Sequence, residues 1–355
     1  MKILYAIQGT GNGHISRARE IIPHLQEFCE CDILISGNQC DVELDVPVKF
    51  RFKGLSFVFG KNGGIDMWNT YINANLPNLK REIDALNVED YDFVINDFEP
   101  VSAWACHKKK IPCIGLSHQG SLLSKKVPIP EKQNYFGQFI LRNYAPAMVH
   151  FGFHFDSYDH NIFTPVIRSQ VRESEVEELD YYTVYLPSFE DTRLLKKLSY
   201  FSETKWHVFS KKTKESYQVG NITIMPITND AFVADMAKSK GVFCGAGFET
   251  PAEALFLKKK LMVIPMKGQF EQQCNATALE KMGVPVIKSL KRKHFPKIDA
   301  WLDSNDKVEV YYPDITRLVI RKVFEMNVMK LMHNNNWTEG YQLTLKKPGF
   351  ESVEL

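Results

Sequence analysis

Apolar positions along this chain follow two rhythms. Short continuous apolar stretches at residues 2–8, 31–36, 92–97, 112–117 and 148–155 alternate with segments of helical spacing. Within residues 15–28 the apolar positions are Ile15, Ala18, Ile21, Ile22 and Leu25, and a second helix is expected at 101–107. Continuous apolar strands separated by helices point to a parallel sheet covered on both faces. The second half repeats the scheme, with strands expected at 183–186, 206–209, 221–225, 242–244 and 261–264 and helices at 230–237, 251–257 and 272–281. No sequence repeat links the halves, and a polar stretch at 156–180 separates them. The pattern predicts an α/β protein of two Rossmann-like, doubly wound domains, residues 1–160 and 161–315, then a helical tail, 316–355, that packs back on the first domain. Such sheets bind ligands at the carboxyl ends of their strands, so two of them with those ends turned inward would face each other across a cleft.

A length of 355 residues agrees with about two domains. Lys and Arg number 44 against 42 Asp and Glu, a formal charge of +2, which gives no global attraction to nucleic acid. No apolar run approaches the ~18 to 20 residues that cross a bilayer, and the first nine residues read as a buried strand, not a secretory signal. The seven cysteines are odd in number and lack a CxxC spacing. That suits packed, reduced thiols in a cytoplasmic protein rather than a disulfide framework or a zinc site.

Two glycine-rich turns carry the candidate chemistry. Gly9-Thr10-Gly11-Asn12-Gly13-His14 follows the first strand and opens the first helix. Its sixth position is His14, and the second strand ends Ser36-Gly37-Asn38 without an acid, so a dinucleotide fingerprint fails twice. A phosphate-binding loop with Gly-Lys-Ser/Thr is also absent. A helix N-terminus disfavours imidazolium, so His14 is expected neutral and able to take a proton. Asp97, at the end of the fourth strand, is placed to hold the second ring nitrogen. Plain capping and turn roles for His14 and Asp97 stay open at this level.

The second turn is Gly245-Ala246-Gly247-Phe248-Glu249-Thr250-Pro251-Ala252-Glu253. Thr250 fits an N-cap, Pro251 the first helical position and Glu253 the third, a capping box. The alternative is a helix N-terminus and glycine amides that hold a diphosphate, with Glu253 accepting from ribose hydroxyls. The next loop, 265–276, offers Glu271 and Gln272 to sugar hydroxyls.

Gly247, Thr250, Glu253, Pro265, Glu271-Gln272 and Asn275-Ala276 together resemble the donor site of GT-B glycosyltransferases, in particular the UDP-glycosyltransferases and the lipid-linked N-acetylglucosamine transferase of peptidoglycan synthesis. The glycine loop before His14 resembles that of the latter. Asp97-Phe98-Glu99-Pro100 and Ser117-His118-Gln119 are similar to a bacterial and archaeal branch of the same group. The resemblance implies an inverting, metal-independent transfer of a sugar from a nucleotide-diphosphate sugar, a UDP-sugar in the relatives, to an acceptor hydroxyl. It implies His14 as base with Asp97 behind it, and no cofactor. It assigns the donor to Gly11, Gly13, Gly245, Gly247, Phe248, Thr250, Glu253, Glu271, Gln272 and Ile227, and places Glu99 and His118 on the acceptor side. Glu271 stands where the family has Asp, and the plant Trp-containing box is absent.

Asp90-Tyr91-Asp92 matches a metal-binding DxD string but precedes its strand, at the wrong end. Ile224–Ile227 and Phe232 either bracket the base of the nucleotide or form core. Residues 124–126 and 135–144 mix Lys, Arg and aromatic residues, which suits either a helix packed on the sheet or one resting on anionic lipid at the inner face of a membrane. The runs 258–260 and 291–293 are expected on the solvated surface. A nucleotide-sugar 2-epimerase and a noncatalytic nucleotide-sugar-binding protein remain alternatives on the same scaffold.

Overall fold

The computed structural model describes residues 1–37, 44–55, 75–132 and 134–326. In the first sheet, β1 (Lys2–Gln8), β2 (Glu30–Ser36), β3 (Phe50–Phe52), β4 (Phe93–Asp97), β5 (Cys113–Ser117), β6 (Val149–Phe153) and β7 (Ile162–Phe163) run in the order β3-β2-β1-β4-β5-β6-β7, all parallel. The second sheet holds β8 (Leu179–Tyr185), β9 (Trp206–Ser210), β10 (Tyr217–Val219), β11 (Ile222–Pro226), β12 (Ser239–Gly245) and β13 (Lys260–Ile264). Its order is β10-β11-β9-β8-β12-β13, antiparallel only between β10 and β11. In each sheet the winding reverses beside the first strand, between β1 and β4 and between β8 and β12. Connections leave in opposite directions there, which opens a crevice at the strands' carboxyl ends.

The strands are apolar for the expected reason: Ile3 through Ile7 of β1 are wholly buried. The helix Asn12–Phe28 buries Ile15, Ala18, Ile21, Ile22 and Leu25, the stripe read from the sequence, and with them Arg17. β7 lies beyond residue 160 and still pairs with β6, so the first sheet extends past the expected boundary. The segment after the helix Phe295–Asp303 returns to the first domain, where Tyr312 Oη donates to the Phe155 carbonyl at 2.8 Å. The helix Thr316–Glu325 packs on Asn12–Phe28: Phe324 stacks on Phe28 at 5.2 Å, and Arg317 pairs with Glu27 at 2.8 Å. The rest of the expected tail, 327–355, lies outside the described residues, as do Asn38 and Cys40.

The Lys258–Lys260 run departs from expectation. Lys259 and Lys260 are buried. Lys259 Nζ donates to the Ser239 carbonyl at 2.9 Å, and Lys260 Nζ to the Leu302 carbonyl at 2.9 Å and Tyr182 Oη at 3.2 Å. Backbone oxygens at the amino end of β13 receive these charges, and the lysine stems pack on apolar neighbours. Burial pushes each ammonium down to about 8. Cys29, Cys31, Cys106, Cys113, Cys244 and Cys274 are free thiols. No described helix is long and apolar enough to cross a membrane.

Candidate active site

The first lip of the crevice is built by β1, β4 and β5. His14 is the third residue of Asn12–Phe28 and Asp97 the last of β4, whose register with β1 sets Asp97 opposite Ile7. Neighbouring strands thus bring two residues 83 apart in sequence to 2.9 Å between His14 Nδ1 and Asp97 Oδ1. Phe98, next in the chain, has φ 56°, a left-handed conformation that costs a bulky residue about 1–3 kcal/mol. Its ring stacks on Tyr144 at 4.8 Å, which fixes the turn that presents Asp97.

Arg17 completes this lip. Its Nη2 donates to Asp97 Oδ1 at 2.7 Å and Oδ2 at 2.9 Å and stands 3.1 Å from His14 Nδ1. Burial alone would raise the Asp97 carboxyl, but Arg17 and then His14 outweigh it and hold it below the usual carboxylate range. Burial likewise opposes the Arg17 charge, and Asp97 and Glu249 keep it. Against an ionised Asp97 we assign the hydrogen to Nδ1, which leaves the Nε2 lone pair on the cleft side. Gln119 Nε2 is 3.4 Å from Nε2.

The second lip differs locally from the sequence reading. The helix after β12 runs Glu249–Phe256, so Phe248 is the cap residue, without a side-chain hydrogen bond. Thr250 falls in the first turn, and Pro251 sits where a backbone N–H has no intrahelical partner to lose. No capping box forms, because the Glu253 carboxylate accepts from Arg168 Nε at 2.5 Å and Nη2 at 2.6 Å. A charged fork outcompetes a single backbone amide. Arg168 comes from the segment joining the domains and also donates to Asn229 Oδ1. Glu253 is only 2% exposed, and its carboxylate is engaged by Arg168.

Several residues meet across the cleft. Arg17 Nη1 donates to Glu249, and a Cβ at Gly13 would lie 2.5 Å from Glu249 Oε2, so only a glycine lets that carboxylate lean on the loop. Gln119 Nε2 donates to Glu271 Oε2 at 3.0 Å. Phe248 stacks on His118 at 3.9 Å with rings 4° apart, and His118 Nε2 lies 2.8 Å from Asn275 Oδ1. By contrast, Cβ positions at Gly11 and Gly247 have open space around them. Gln272 Oε1 accepts from the Met266 amide at 2.8 Å and braces its loop, and a Cβ built on Gly245 would lie 3.9 Å from it.

The acceptor-side candidates Glu99 and His118 are both engaged by the protein itself. Glu99 is wholly buried and caps the helix Pro100–Lys109, accepting from the Val101 and Ser102 amides at 2.7 Å and from Ser36 Oγ at 2.6 Å. His118 is buried between Phe248 and the Phe153 carbonyl, to which Nδ1 donates at 2.8 Å. Ile227 is half-buried on the core, its amide bonded to the Ser210 carbonyl at 3.0 Å, and Phe232 is core, packed on Tyr185 and Phe209.

The sequence reading missed Arg17, Glu249 and Gln119 as members of the site. Arg17 carried a signal: it follows His14 by three residues and so shares its helix face. Gln119 also lines a narrow crevice with Phe98, Leu123, Leu141 and His150 that leaves no room for a water molecule. Burial pushes the His150 imidazole down to about 4. Asp92 of the DxD string accepts from the Lys2 amide at 2.7 Å, at the end of β4 opposite Asp97. Among the described residues no three His, Cys, Asp or Glu side chains gather as a metal site. On the helix Tyr135–Asn143, Tyr135 and Phe136 are exposed, while Gly137 meets Phe270 of the second domain.

A family model described as glycosyl transferase family 1 matches residues 1–302. No curated protein matches the sequence. Among solved structures, MurG of Acinetobacter baumannii is similar with a TM-score of 0.56 and 16% identity over 92% of this chain and 99% of its own. Arabidopsis thaliana UGT89C1 complexed with UDP is similar with a TM-score of 0.55 and 12% identity over 94% and 98%. Phytolacca americana UGT2, complexed with UDP-2fluoro-glucose and pterostilbene, gives 0.56 and 12% over 94% and 98%. At these identities the likeness is one of fold, the GT-B arrangement of two facing α/β domains.

Proposed function

Since the chain belongs to glycosyl transferase family 1, we propose that it transfers a sugar with inversion from a UDP-sugar to an acceptor hydroxyl, with His14 as the general base. The observation that carries this reading is the His14–Asp97 pair, 2.9 Å apart at the carboxyl ends of β1 and β4, facing the turn after β12. The acceptor hydroxyl gives its proton to His14 Nε2 as its oxygen forms a bond to the anomeric carbon. The bond from that carbon to the diphosphate oxygen breaks on the opposite face, and the electron pair leaves with the nucleotide. Asp97 orients Nδ1–H and stabilises the imidazolium. Amides of residues 245–249 and the start of the helix Glu249–Phe256 meet the developing charge on the diphosphate, so the scheme draws on no metal ion. In this reading Gln272 and Glu271 receive sugar hydroxyls. The exposed Tyr135 and Phe136, with exposed Lys125 and Lys126 ahead of them in the chain, in this reading rest on anionic lipid.

The test is turnover of a nucleotide-sugar panel with mixed hydroxyl acceptors by the wild type and by His14→Ala. Loss of about 10²–10⁴ in kcat with UDP binding retained supports the base. Unchanged turnover removes His14 from the role, and epimerised sugar released without any acceptor replaces transfer with epimerisation.

A further inference from the structure

Arg17 belongs to the first domain, yet its guanidinium is shared between both. Nη2 holds the two oxygens of Asp97 and stands 3.1 Å from His14 Nδ1, while Nη1 donates to Glu249 of the second domain. Arg17 is 2% exposed, and its Nε has no partner among the described residues, so little solvent is at hand to replace a lost contact. Glu249, at 28% side-chain exposure, is the outer end of the chain of charges and opens the helix Glu249–Phe256 of the second domain.

We propose that Arg17 is a positioning residue that couples the seating of the second domain, sensed through Glu249, to the readiness of the His14–Asp97 pair to take a proton. The inference rests on the reading of His14 as base. Its logic is the balance of signs along His14, Asp97, Arg17 and Glu249. With Glu249 in place the guanidinium is balanced, and the Asp97 charge is left to stabilise an imidazolium. With Glu249 withdrawn, an unbalanced positive charge 3.1 Å from Nδ1 opposes a second one there. The base is therefore strongest when the domain that carries the leaving group is docked, and weakest when a proton taken would be wasted.

The other groups facing this pair do not duplicate the device. Tyr5 of β1 feels the charges of Asp97 and Arg17, and burial pushes its phenol up. Gln119 faces Nε2 and links it to Glu271, but only as a neutral amide. His118 sits farther in, disfavoured as a cation by burial.

The experiment is a titration of the His14 imidazole by NMR in the full chain labelled with ¹⁵N-histidine, assigned by loss of the signal in His14→Gln. Glu249→Gln is expected to lower the midpoint, and Arg17→Met to raise it, each by about one pH unit. Arg17→Lys keeps the charge but not the fork. Its midpoint should stay near the wild type, and adding Glu249→Gln to it should shift the midpoint less than in the wild-type background. Opposite shifts in the two single variants support the coupling. A midpoint unmoved by Glu249→Gln, a partly exposed position that tolerates the change, overturns it even if Arg17→Met fails to fold. The titration needs no substrate, so it is separable from the His14→Ala turnover test: loss of the base reading there leaves the midpoints interpretable.

Discussion

Replacing Glu253 by Gln tests whether this carboxylate is there to hold Arg168 or to meet a ribose. The change keeps shape and removes charge. Glu253 accepts two hydrogen bonds from Arg168, at 2.5 and 2.6 Å, and Arg168 is itself 15% exposed at its side chain. Burial pushes the Glu253 carboxyl up and Arg168 opposes it, so the pair persists because each charge answers the other. Removing one partner of a buried pair costs about 3–5 kcal/mol. Asn229 remains as an acceptor for Arg168 and some water reaches it, which favours the lower end, about 3 kcal/mol. At ~2–4 °C per kcal/mol for a domain of about 150–250 residues, the melting temperature should fall by about 6–12 °C. The double variant Arg168→Met/Glu253→Met should recover much of that loss, because an apolar pair replaces a buried ionic one at little cost. Calorimetry with and without UDP reads both roles. A melting temperature within about 2 °C of the wild type, with UDP no longer stabilising the variant, would refute the structural role and return Glu253 to the nucleotide.

Lys259 and Lys260 make a pH prediction. Their folded values near 8 lie below the ordinary 10.5, so the unfolded chain binds more protons between those limits and stability must rise with pH there. Urea midpoints at pH 7.5, 9 and 10.5 should climb, and Lys259→Met should flatten the climb; a level wild-type profile removes the argument. Asp97→Asn should lower kcat by about 10²–10⁴ with the KM for UDP-sugar little changed, and steady-state kinetics that show only a KM effect would separate Asp97 from proton transfer. Turnover should survive excess EDTA; loss restored by a divalent cation would show that the diphosphate needs a metal. Wild-type protein should cosediment with vesicles containing anionic phospholipid and Tyr135→Glu/Phe136→Glu should not, while equal sedimentation of both clears that helix of a membrane role.

Elements whose burial is settled locally were legible in the sequence. β4 and β5 are buried along their whole length, β1 over residues 3–8 and β2 over residues 33–36, which is why they read as apolar runs, and the helix Asn12–Phe28 shows its buried stripe at the expected spacing. β3, β7 and β10 have only two or three residues, too few to display a period. The His14–Asp97 pair was readable because each residue closes a strand or opens the helix after one, although their contact depends on a strand order that no local pattern encodes. What the sequence hid has one physical cause. Arg17 meets Asp97 and Glu249 at separations of 80 and 232 residues, and Arg168 meets Glu253 at 85. A local rule gave Glu253 to its own helix cap and a local charge run put Lys259 at the surface, and in both cases a distant partner won. Local consistency fails where a residue answers to a remote charge or carbonyl, and such failures gather at functional sites. Arg17 and Glu249 follow that pattern, because each answers to a charge carried by the other domain.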